Sequence, residues 1–357
     1  MFHIPTVICG GGILGLLTAK ELSKSCSSDD FALFEKNSYL GEGNTSRNSG
    51  VLHSGIYYET GSLKHKLCLE GNRQWKELAR ELDIPINHCG KFIVATSEDE
   101  LELLNELKEK AKKNDVKIEA IQKEKIDDLK ETIHFEDGFF IPSTAVLDIS
   151  SAIKILEDHL FKKNISVIKN DEILSVEKKG NLFILNTSLS GPISCDHFIN
   201  VAGTDAIKIR KMLSKNDLDN YFVKGNYVKL NRSYYNQHLI YPIPQKNLKG
   251  LGVHTSFAPD GIIRFGPDTE DVEEVAFKVD HSIVDKMYPE IIKIFKNISL
   301  DDLSPDYAGV RPKIIHNGKL HSDFWIQNDG MYFECCGIES PGLTAAPAIA
   351  KTLIQNL

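Results

Sequence analysis

Three glycines near the start of the chain have a spacing that can bind a phosphate. Gly10, Gly12 and Gly15 form a G-x-G-x-x-G pattern. The first glycine permits a tight turn, the second lets the backbone approach a pyrophosphate, and the third lets a helix pack closely on a strand. The first N–H groups of that helix then present a partial positive charge to the phosphates. This chemistry predicts a bound dinucleotide.

The segments around these glycines have the patterns that such a role requires. The apolar periodicity predicts a strand over residues 6–9, a helix over residues 13–25 and a second strand over residues 31–34. Glu35 follows Gly15 by twenty residues, where an acid can bind the ribose hydroxyls. An acid at this point favours FAD or NAD over NADP. A glycine-rich turn that binds nothing is the alternative interpretation.

The bulk composition is typical of a soluble globular chain. The 357 residues are 41% hydrophobic and 26% charged, with a formal net charge of −8, and this length predicts roughly two domains. The absence of a Lys/Arg-rich block gives nucleic-acid binding no support, and no apolar run approaches the ~18 residues of a transmembrane helix. The first residues show no cleavable apolar segment. We therefore expect a cytoplasmic protein, with peripheral contact at the inner face of a membrane left open.

The cysteines predict neither a disulfide framework nor a metal site. The chain has seven of them, an odd number without regular spacing. Cys335 and Cys336 are adjacent, and the sequence contains no C-x-x-C and no H-E-x-x-H motif. We expect the cysteines to be buried apolar residues.

A polar loop follows Glu35. Residues 36–50 contain three glycines and several hydroxyl side chains, and they lead into residues 51–58, which read VLHSGIYY. A flexible loop is one interpretation. An ordered loop around a pyrophosphate is the other, and it is favoured because the next segment mixes apolar residues with a histidine and two tyrosines, as the wall of a site does.

The middle of the chain changes architecture. Residues 221–295 contain alternating strand patterns that predict an antiparallel sheet, whereas the start of the chain predicts strand–helix–strand units. The predicted fold class is therefore α/β, as a two-domain α+β arrangement in which a Rossmann-like nucleotide-binding domain is interrupted by an antiparallel-sheet substrate domain. The nucleotide-binding domain is predicted over residues 1–85, 140–220 and 300–357, and the substrate domain over residues 86–139 and 221–299.

A second glycine-bearing loop precedes the last predicted helix. The loop reads GIESPGLT and is followed by AAPAIAKTLIQNL. Proline is tolerated in the first turn of a helix, so Pro347 predicts a helix that begins at residues 343–346. The N–H groups at this helix start can face a ligand while the helix packs on the sheet.

Four pieces of the sequence match one family. They are GGGILG with Glu35, SRNSGVLHSGIYY, VAG at residues 201–203, and GVRPK with GIESPGLTAAPAIA. Together they resemble the FAD-dependent D-amino-acid oxidase superfamily, in the branch of L-2-hydroxyglutarate dehydrogenases and oxidases. SGVLHSGIYY, YPIP, LGVH and GIESPGLT are more specific to this branch than the glycine pattern is. Asn226 departs from the branch, which would have an acidic residue there.

The resemblance implies non-covalently bound FAD and the residues that hold it. The ADP half is implied to meet Gly10, Gly12, Gly15, Glu35 and Lys36, with Ile173, Ala202 and Gly203 nearby. The pyrophosphate and flavin side is implied to meet Thr45, Ser46, Ser49 and Gly50. The isoalloxazine is implied to be surrounded by Gly309, Arg311, Ser340, Pro341, Gly342, Leu343 and Thr344.

The implied reaction is oxidation of L-2-hydroxyglutarate, or a close 2-hydroxy acid, to the 2-oxo acid by hydride transfer to flavin N5. His53 is the first candidate base, because an unperturbed imidazole titrates near pH ~6.5, and His254 is its rival. Arg311 is the candidate clamp for a carboxylate, against the alternative of a structural ion pair. Further candidates for substrate binding are Tyr57, Lys224 and Tyr241.

Two other functions fit the same residues. An amine or amino-acid oxidase of the glycine, sarcosine or D-amino-acid type would need a carboxylate clamp but no second cation. A flavin-binding redox protein without turnover is the third possibility, and the pairing of His53 with Arg311 disfavours it. In the implied oxidation of a 2-hydroxy acid the electrons pass to a quinone, another carrier or oxygen, and the sequence does not distinguish these acceptors.

Overall fold

The strand–helix–strand pattern at the start of the chain is present in the computed structural model, which describes residues 1–234, 237–244, 252–257 and 260–355. Part of the segment of residues 221–295, for which the sequence predicts alternating strands, falls outside these ranges. The α-helices are α1 Ile13–Leu22, α2 Leu63–Leu82, α3 Leu101–Lys113, α4 Lys123–Thr132, α5 Ile149–Lys162, α6 Ala206–Met212, α7 Ile283–Ile292 and α8 Gly342–Ile354.

The strands alternate with these helices in the first two hundred residues and dominate the rest. They are β1 Phe2–His3, β2 Thr6–Cys9, β3 Phe31–Phe34, β4 Val51–Leu52, β5 Ile86–Asn87, β6 Lys91–Ala95, β7 Asp137–Ile141, β8 Ala145–Leu147, β9 Ser166–Ile168, β10 Ile173–Lys179, β11 Leu182–Thr187, β12 Pro192–Cys195, β13 His197–Asn200, β14 Leu218–Leu230, β15 Leu239–Pro242, β16 His254–Phe257, β17 Ile263–Gly266, β18 Glu270–Val272, β19 Leu303–His316, β20 Lys319–His321, β21 Trp325–Asn328 and β22 Tyr332–Cys336.

A six-stranded, mostly parallel sheet carries the N-terminal glycines. Its order is β21-β22-β13-β2-β3-β9, and β2 runs parallel to both β13 and β3. All residues of β2 and β3 are buried, as expected for parallel strands covered on both faces. The two strand predictions at residues 6–9 and 31–34 are confirmed, whereas the helix between them ends at Leu22 and not at residue 25.

Helices cover this sheet and complete its core. Leu16 of α1, Leu33 of β3 and Ile349 of α8 are fully buried in one apolar cluster with Trp75 of α2. The N-terminal and C-terminal helices therefore pack on the same layer, although they are separated by most of the chain.

An antiparallel sheet forms the second large layer. Its order is β16-β17-β14-β19-β20, with β18 also paired to β14. β14 and β19 pair from Leu218↔His316 to Leu230↔Leu303, so residues 303–316 belong to this sheet. The sequence predicts that residues 303–316 belong to the nucleotide-binding domain. A boundary at residue 300 would, however, place the paired strands β14 and β19 in different domains. The rest of the domain division remains a prediction.

The start of α8 differs from its prediction. The helix begins at Gly342, so Pro347 lies in the second turn and the placement of this proline in the first turn was wrong. Pro347 has no N–H to offer the carbonyl of Leu343, four residues earlier. The indole Nε1 of Trp75 donates to that carbonyl instead, at 2.7 Å. A side chain of α2 thus replaces the missing helical hydrogen bond.

All seven cysteines are free thiols, and six of them are buried, with Cys26 half-buried. Within the described ranges, no helix combines the length and the apolar character needed to cross a bilayer. The same part of the chain contains no group of three or more His, Cys, Asp or Glu side chains placed to hold a metal ion.

We expect Trp75→Phe to lower the free energy of unfolding by about 2–4 kcal/mol, because it leaves a void and an unsatisfied carbonyl. Pro347→Ala restores a backbone donor to Leu343, so it should stabilise Trp75→Phe by about 1 kcal/mol more than it stabilises the parent. Urea unfolding of the four proteins measures this coupling. Equal effects of Pro347→Ala in both backgrounds would show that the indole bond does not replace the helical one.

Candidate active site

A long cavity of about 720 Å³ joins the two glycine-bearing loops. It runs from the turn between β2 and α1, past the loop of residues 36–50, to the start of α8. Most of the predicted site residues line it, namely Gly10, Gly12, Glu35, Lys36, Thr45, Ser49, His53, Tyr57, Ile173, Ala202, Gly203, His254, Gly309, Arg311, Ser340, Pro341, Gly342, Leu343 and Thr344.

The turn between β2 and α1 is open to a phosphate. Gly10 has a φ of +117°, which favours glycine. Gly12 caps α1 without a side-chain hydrogen bond, and a Cβ built on it would lie 3.1 Å from Thr45 Oγ1. The Thr45 hydroxyl accepts from the Ile13 N–H at 3.1 Å. The bare backbone and the helix start form a cradle that fits a pyrophosphate.

Three predicted cofactor residues shape this region without lining the cavity. A Cβ on Gly15 would lie 1.8 Å from the Gly10 carbonyl oxygen, so this glycine allows α1 to pack on the turn. Ser46 Oγ donates to the Gly41 carbonyl at 2.7 Å. Gly50 adopts a φ of +69° as the chain enters β4.

Glu35 is held at the end of β3 by two backbone donors. Its Oε2 accepts from the Gly11 N–H at 2.7 Å and its Oε1 from the Asn37 N–H at 2.8 Å. Each carboxylate oxygen retains a lone pair for a further donor, so the group can still bind ribose hydroxyls. Lys36 is tied to Asp205 at 2.5 Å, which joins the ends of β3 and β13 beside the cavity. The cofactor contacts of these residues remain predictions.

His53 lies just after β4 with its backbone held from two helices. Its N–H donates to Thr344 Oγ1 at 2.9 Å, and its carbonyl accepts from Asn72 Nδ2 at 3.0 Å. Its Nε2 is 3.4 Å from Ser340 Oγ, and its Nδ1 has no partner among the described residues. Burial lowers the pKa of His53 to about 3, and the charges of Lys91 and His254 act in the same direction. The ring is therefore neutral at physiological pH.

His254 begins β16 and faces the same cavity. Its Nδ1 is 2.8 Å from the Gly252 carbonyl, so Nδ1 carries the hydrogen and Nε2 is an acceptor. The ring lies against Tyr241, with 3.9 Å between the centroids. Burial lowers the pKa of His254 to about 3; the Gly252 bond opposes this shift, and the charges of Lys91 and Arg311 add to it. Two neutral imidazoles thus line one end of the cavity.

Arg311 reaches this end from β19. A Cβ on Gly225 of the paired strand would lie 3.3 Å from its Nη2, so the glycine leaves room for the guanidinium. The adjacent residue Val310 is bound on both its N–H and its carbonyl by the side-chain amide of Asn44. The loop of residues 36–50 therefore positions the strand that carries the arginine.

The acid that the resemblance implied at position 226 is supplied by neighbours in space. The Asn226 side-chain amide donates to Asp268 Oδ1 at 3.0 Å and to Glu270 Oε2 at 3.3 Å. Burial raises the pKa of Asp268, while its bonds from Asn226 and the charge of Arg311 oppose this shift. Asp268 and Arg311 line the same cavity, so the amide orients an acid near the arginine.

Two predicted substrate-binding residues do not line the cavity. Lys224 Nζ donates to the Lys278 carbonyl at 2.6 Å and lies 3.9 Å from Glu270 Oε2, so this cation is already partnered. Tyr241 is 1% exposed and lies behind His254. Their binding roles remain predictions, although Tyr241 supports a residue that does face the cavity.

Sequence reasoning missed three residues at this site. Asn44 and Asp268 lie in polar loops, where their types carry no distinguishing signal. Only their side-chain hydrogen bonds tie them to Val310 of β19 and to Asn226 of β14. Lys91 begins a strand whose other residues are apolar. A lysine at a strand end usually predicts solvent exposure, and only the packing of distant segments reveals that it is buried.

The fold and the cavity define a flavin-dependent oxidoreductase. Residues 6–356 match the family model described as FAD dependent oxidoreductase, DAO, and the chain belongs to this family. The sequence resemblance, the two-domain fold class, the FAD cofactor and the assignment as an enzyme are thereby confirmed.

Two related sequences and one solved structure show what the chain is similar to within this family. The chain is 29% identical to L-2-hydroxyglutarate dehydrogenase of Escherichia coli O17:K52:H18, over 98% of this chain and 92% of that protein. It is 28% identical to glycerol 3-phosphate dehydrogenase of Caloramator mitchellensis, over 100% and 74%. Its fold matches dithionite-reduced L-α-glycerophosphate oxidase from Mycoplasma pneumoniae with FAD bound, with a TM-score of 0.90 and 25% identity, over 100% and 95%.

We expect Gly12→Ala to raise the FAD Kd by at least about tenfold, or ~1.4 kcal/mol, because its methyl group would enter the pyrophosphate cradle. Ser25→Ala is the control, since Ser25 is exposed beyond the C-terminal end of α1 and does not line the cavity. Quenching of flavin fluorescence by the apoprotein measures both affinities, and thermal unfolding of the apoproteins checks their folding. Equal FAD affinities for the two folded variants would argue against a pyrophosphate at Gly12.

Proposed function

We propose that this enzyme oxidises L-2-hydroxyglutarate, or a close 2-hydroxy acid, to the corresponding 2-oxo acid. The observation that carries the proposal is the convergence of two neutral histidines and Arg311 at one end of the cavity. Several full-length relatives named L-2-hydroxyglutarate dehydrogenase support the choice of substrate.

Oxidation of a secondary alcohol requires a proton acceptor beside the hydride acceptor. Bound FAD supplies the hydride acceptor at its N5. His53 takes the hydroxyl proton in our proposal, because its Nδ1 has no partner among the described residues and its backbone is anchored to α2 and α8. His254 offers its Nε2 as a second acceptor for the same hydroxyl. The start of α8 presents its helix dipole to the negative charge of the reduced cofactor.

The carboxylate next to the hydroxyl requires a cation with two donors. Arg311 meets this need, because a guanidinium binds a carboxylate through two parallel hydrogen bonds. Asp268 lines the same cavity, and the charge of Arg311 acts on it. The acceptor of the electrons, whether quinone, carrier or oxygen, remains a prediction.

Glycerol 3-phosphate is a second candidate substrate. It is also a secondary alcohol with an anionic group, and the fold similarity to the Mycoplasma pneumoniae oxidase extends over the whole chain. An arginine binds phosphate as readily as carboxylate, so Arg311 alone does not separate the two. The stereochemistry and charge of the donor that reduces the flavin will separate them.

Anaerobic reduction of the holoenzyme tests this proposal. We expect L-2-hydroxyglutarate to bleach the visible flavin bands, and its D-enantiomer, glycerol 3-phosphate, sarcosine and D-alanine to act at least about 100-fold more slowly, a difference of ~2.7 kcal/mol. Arg311→Met should raise the Kd for the hydroxy acid by about tenfold or more. Arg311→Lys should recover only part of this loss, because a lysine has no bidentate geometry.

Each other donor gives a different conclusion. Bleaching by glycerol 3-phosphate alone would replace the proposed substrate by the second candidate. Bleaching by sarcosine or D-alanine would assign the enzyme to the amine-oxidising type. A yellow protein reduced by none of these donors would reject the proposed reaction.

The pH dependence of flavin reduction tests the role of His53. A pKa near 3 keeps the imidazole neutral at all higher pH values, so the rate at saturating substrate should stay level from about pH 8 to about pH 5, whereas an unperturbed histidine would lose half its base form near pH 6.5. His53→Asn should slow reduction by about 10²–10⁴-fold, and His254→Asn by less than about tenfold if it only binds. A rate that halves near pH 6.5, or a larger loss in His254→Asn, would contradict this assignment.

A further inference from the structure

Lys91 is a buried cation that the reaction described above does not use. It is the first residue of β6 and is 0% exposed. Its Nζ has no hydrogen-bond partner within the described residues. A charge held in an apolar interior without an anion destabilises the folded protein. Such a residue therefore requires an explanation from function.

Two aromatic rings enclose the ammonium. Nζ lies 4.9 Å from the ring centroid of Tyr57 and 4.3 Å from that of Tyr241, distances that give cation–π attraction. Tyr57 lines the cavity, and Tyr241 lies against His254, which also lines it. The charge of Lys91 thus stands one side chain behind the wall of the site, at the end that holds both histidines.

Among the described residues, no carboxylate pairs with this charge. The titratable groups that face Lys91 are the phenols of Tyr57 and Tyr241, the thiols of Cys68 and Cys89, and the imidazoles of His53 and His254. Burial lowers the pKa of Lys91 to about 7, which the two thiols partly oppose. Within the described residues the protonated form of Lys91 has no counterion, so an anion in the adjacent cavity would stabilise that form.

We propose that Lys91 is a positioning residue for the substrate: its enclosed ammonium, acting through Tyr57 and Tyr241, makes the histidine end of the cavity attract the second acidic group of a dianionic 2-hydroxy acid. The inference rests on the proposed function for the identity of that acid. Arg311 then binds the carboxylate beside the hydroxyl, and Lys91 supplies the second positive potential, which the placement of Lys224 does not provide. The same charge adds to the effect of burial, which lowers the pKa of both histidines.

Linkage determines the sign of the pH effect. An anion binds better when Lys91 is protonated, so affinity is greatest below pH 7 and falls as the pH rises through the pKa of about 7. Arg311 stays charged throughout this range and contributes no such change. An arginine at position 91 would also stay charged, and a methionine would never carry charge.

The test titrates the oxidised holoenzyme with glutarate, which has both carboxylates but no hydroxyl to oxidise, and follows the flavin spectrum. For the parent we expect the Kd for glutarate to rise about tenfold between about pH 6 and pH 9. This is the size of effect expected when the single charge of Lys91, separated from the anion by a tyrosine ring, is lost. Lys91→Met should bind about tenfold more weakly at pH 6, without further pH dependence. Lys91→Arg should retain the affinity and lose the rise at high pH.

Lys20→Met is the matched control. Lys20 is also a buried lysine, with 3% of its side chain exposed, but it pairs with Glu81 at 3.1 Å and lies on α1 away from the histidines. Its glutarate titration should equal that of the parent. Urea unfolding distinguishes this role from a structural one. Lys91→Met should have a free energy of unfolding at least as large as that of the parent, because it removes an unpaired buried charge. A structural role for Lys91 would make the variant less stable.

The outcomes separate this inference from the proposed function. If L-2-hydroxyglutarate bleaches the parent but Lys91→Met binds glutarate as the parent does at every pH, the role of Lys91 is overturned and the function stands. If the parent is not bleached but its glutarate affinity follows Lys91, the function is overturned and the anion-attracting role stands. The inference is overturned if glutarate does not perturb the flavin spectrum of the parent. It is also overturned if Lys91→Met is unfolded and the glutarate Kd of Lys91→Arg rises with pH as that of the parent does.

Discussion

The packing of α2 against the first turn of α8 is the contact on which the site depends. A Cβ on Gly71 of α2 would lie 2.1 Å from the Thr344 carbonyl oxygen, so the helices meet at backbone distance. Trp75 satisfies the carbonyl of Leu343 from the same face of α2. Thr344 Oγ1 then accepts the N–H of His53 and donates to the Val51 carbonyl at 3.3 Å. One helix contact thereby positions a loop, a strand and the candidate base.

The site separates charge into two regions. At the nucleotide end, the carboxylate of Glu35 faces backbone donors and Lys36 is paired with Asp205, so the protein charges are largely compensated there. At the histidine end, two neutral rings and the charges of Arg311 and Lys91 give a net positive potential. This asymmetry favours an anionic substrate at the end of the cavity where a flavin ring would meet it.

Local signals in the sequence predicted the turn and the sheet around it. Four-residue apolar runs identified β2 and β3, because both faces of a parallel strand are buried and leave no polar alternation. The start of α8 was predicted incorrectly. The rule that places proline in the first turn assumes that the carbonyl four residues earlier would otherwise lack a hydrogen-bond donor. Here Trp75 of α2 donates to that carbonyl, which belongs to Leu343. Lys91, Asn44 and Asp268 could not be found for a related reason: each acts through neighbours that lie tens to hundreds of residues away along the chain, and a single sequence does not show which of these residues meet in space.

The burial of the cysteines has a practical consequence. Cys26 is the thiol that reaches solvent, and burial raises the pKa of the other thiols for which a shift is resolved, so a maleimide dye would attach selectively at this position. Cys26 follows the last turn of α1, whose first turn borders the FAD cradle about 15 Å away along a ten-residue helix. A fluorophore there would lie within energy-transfer range of the isoalloxazine. Its energy transfer to the flavin would report, in single molecules, whether FAD is bound, without a change to the site.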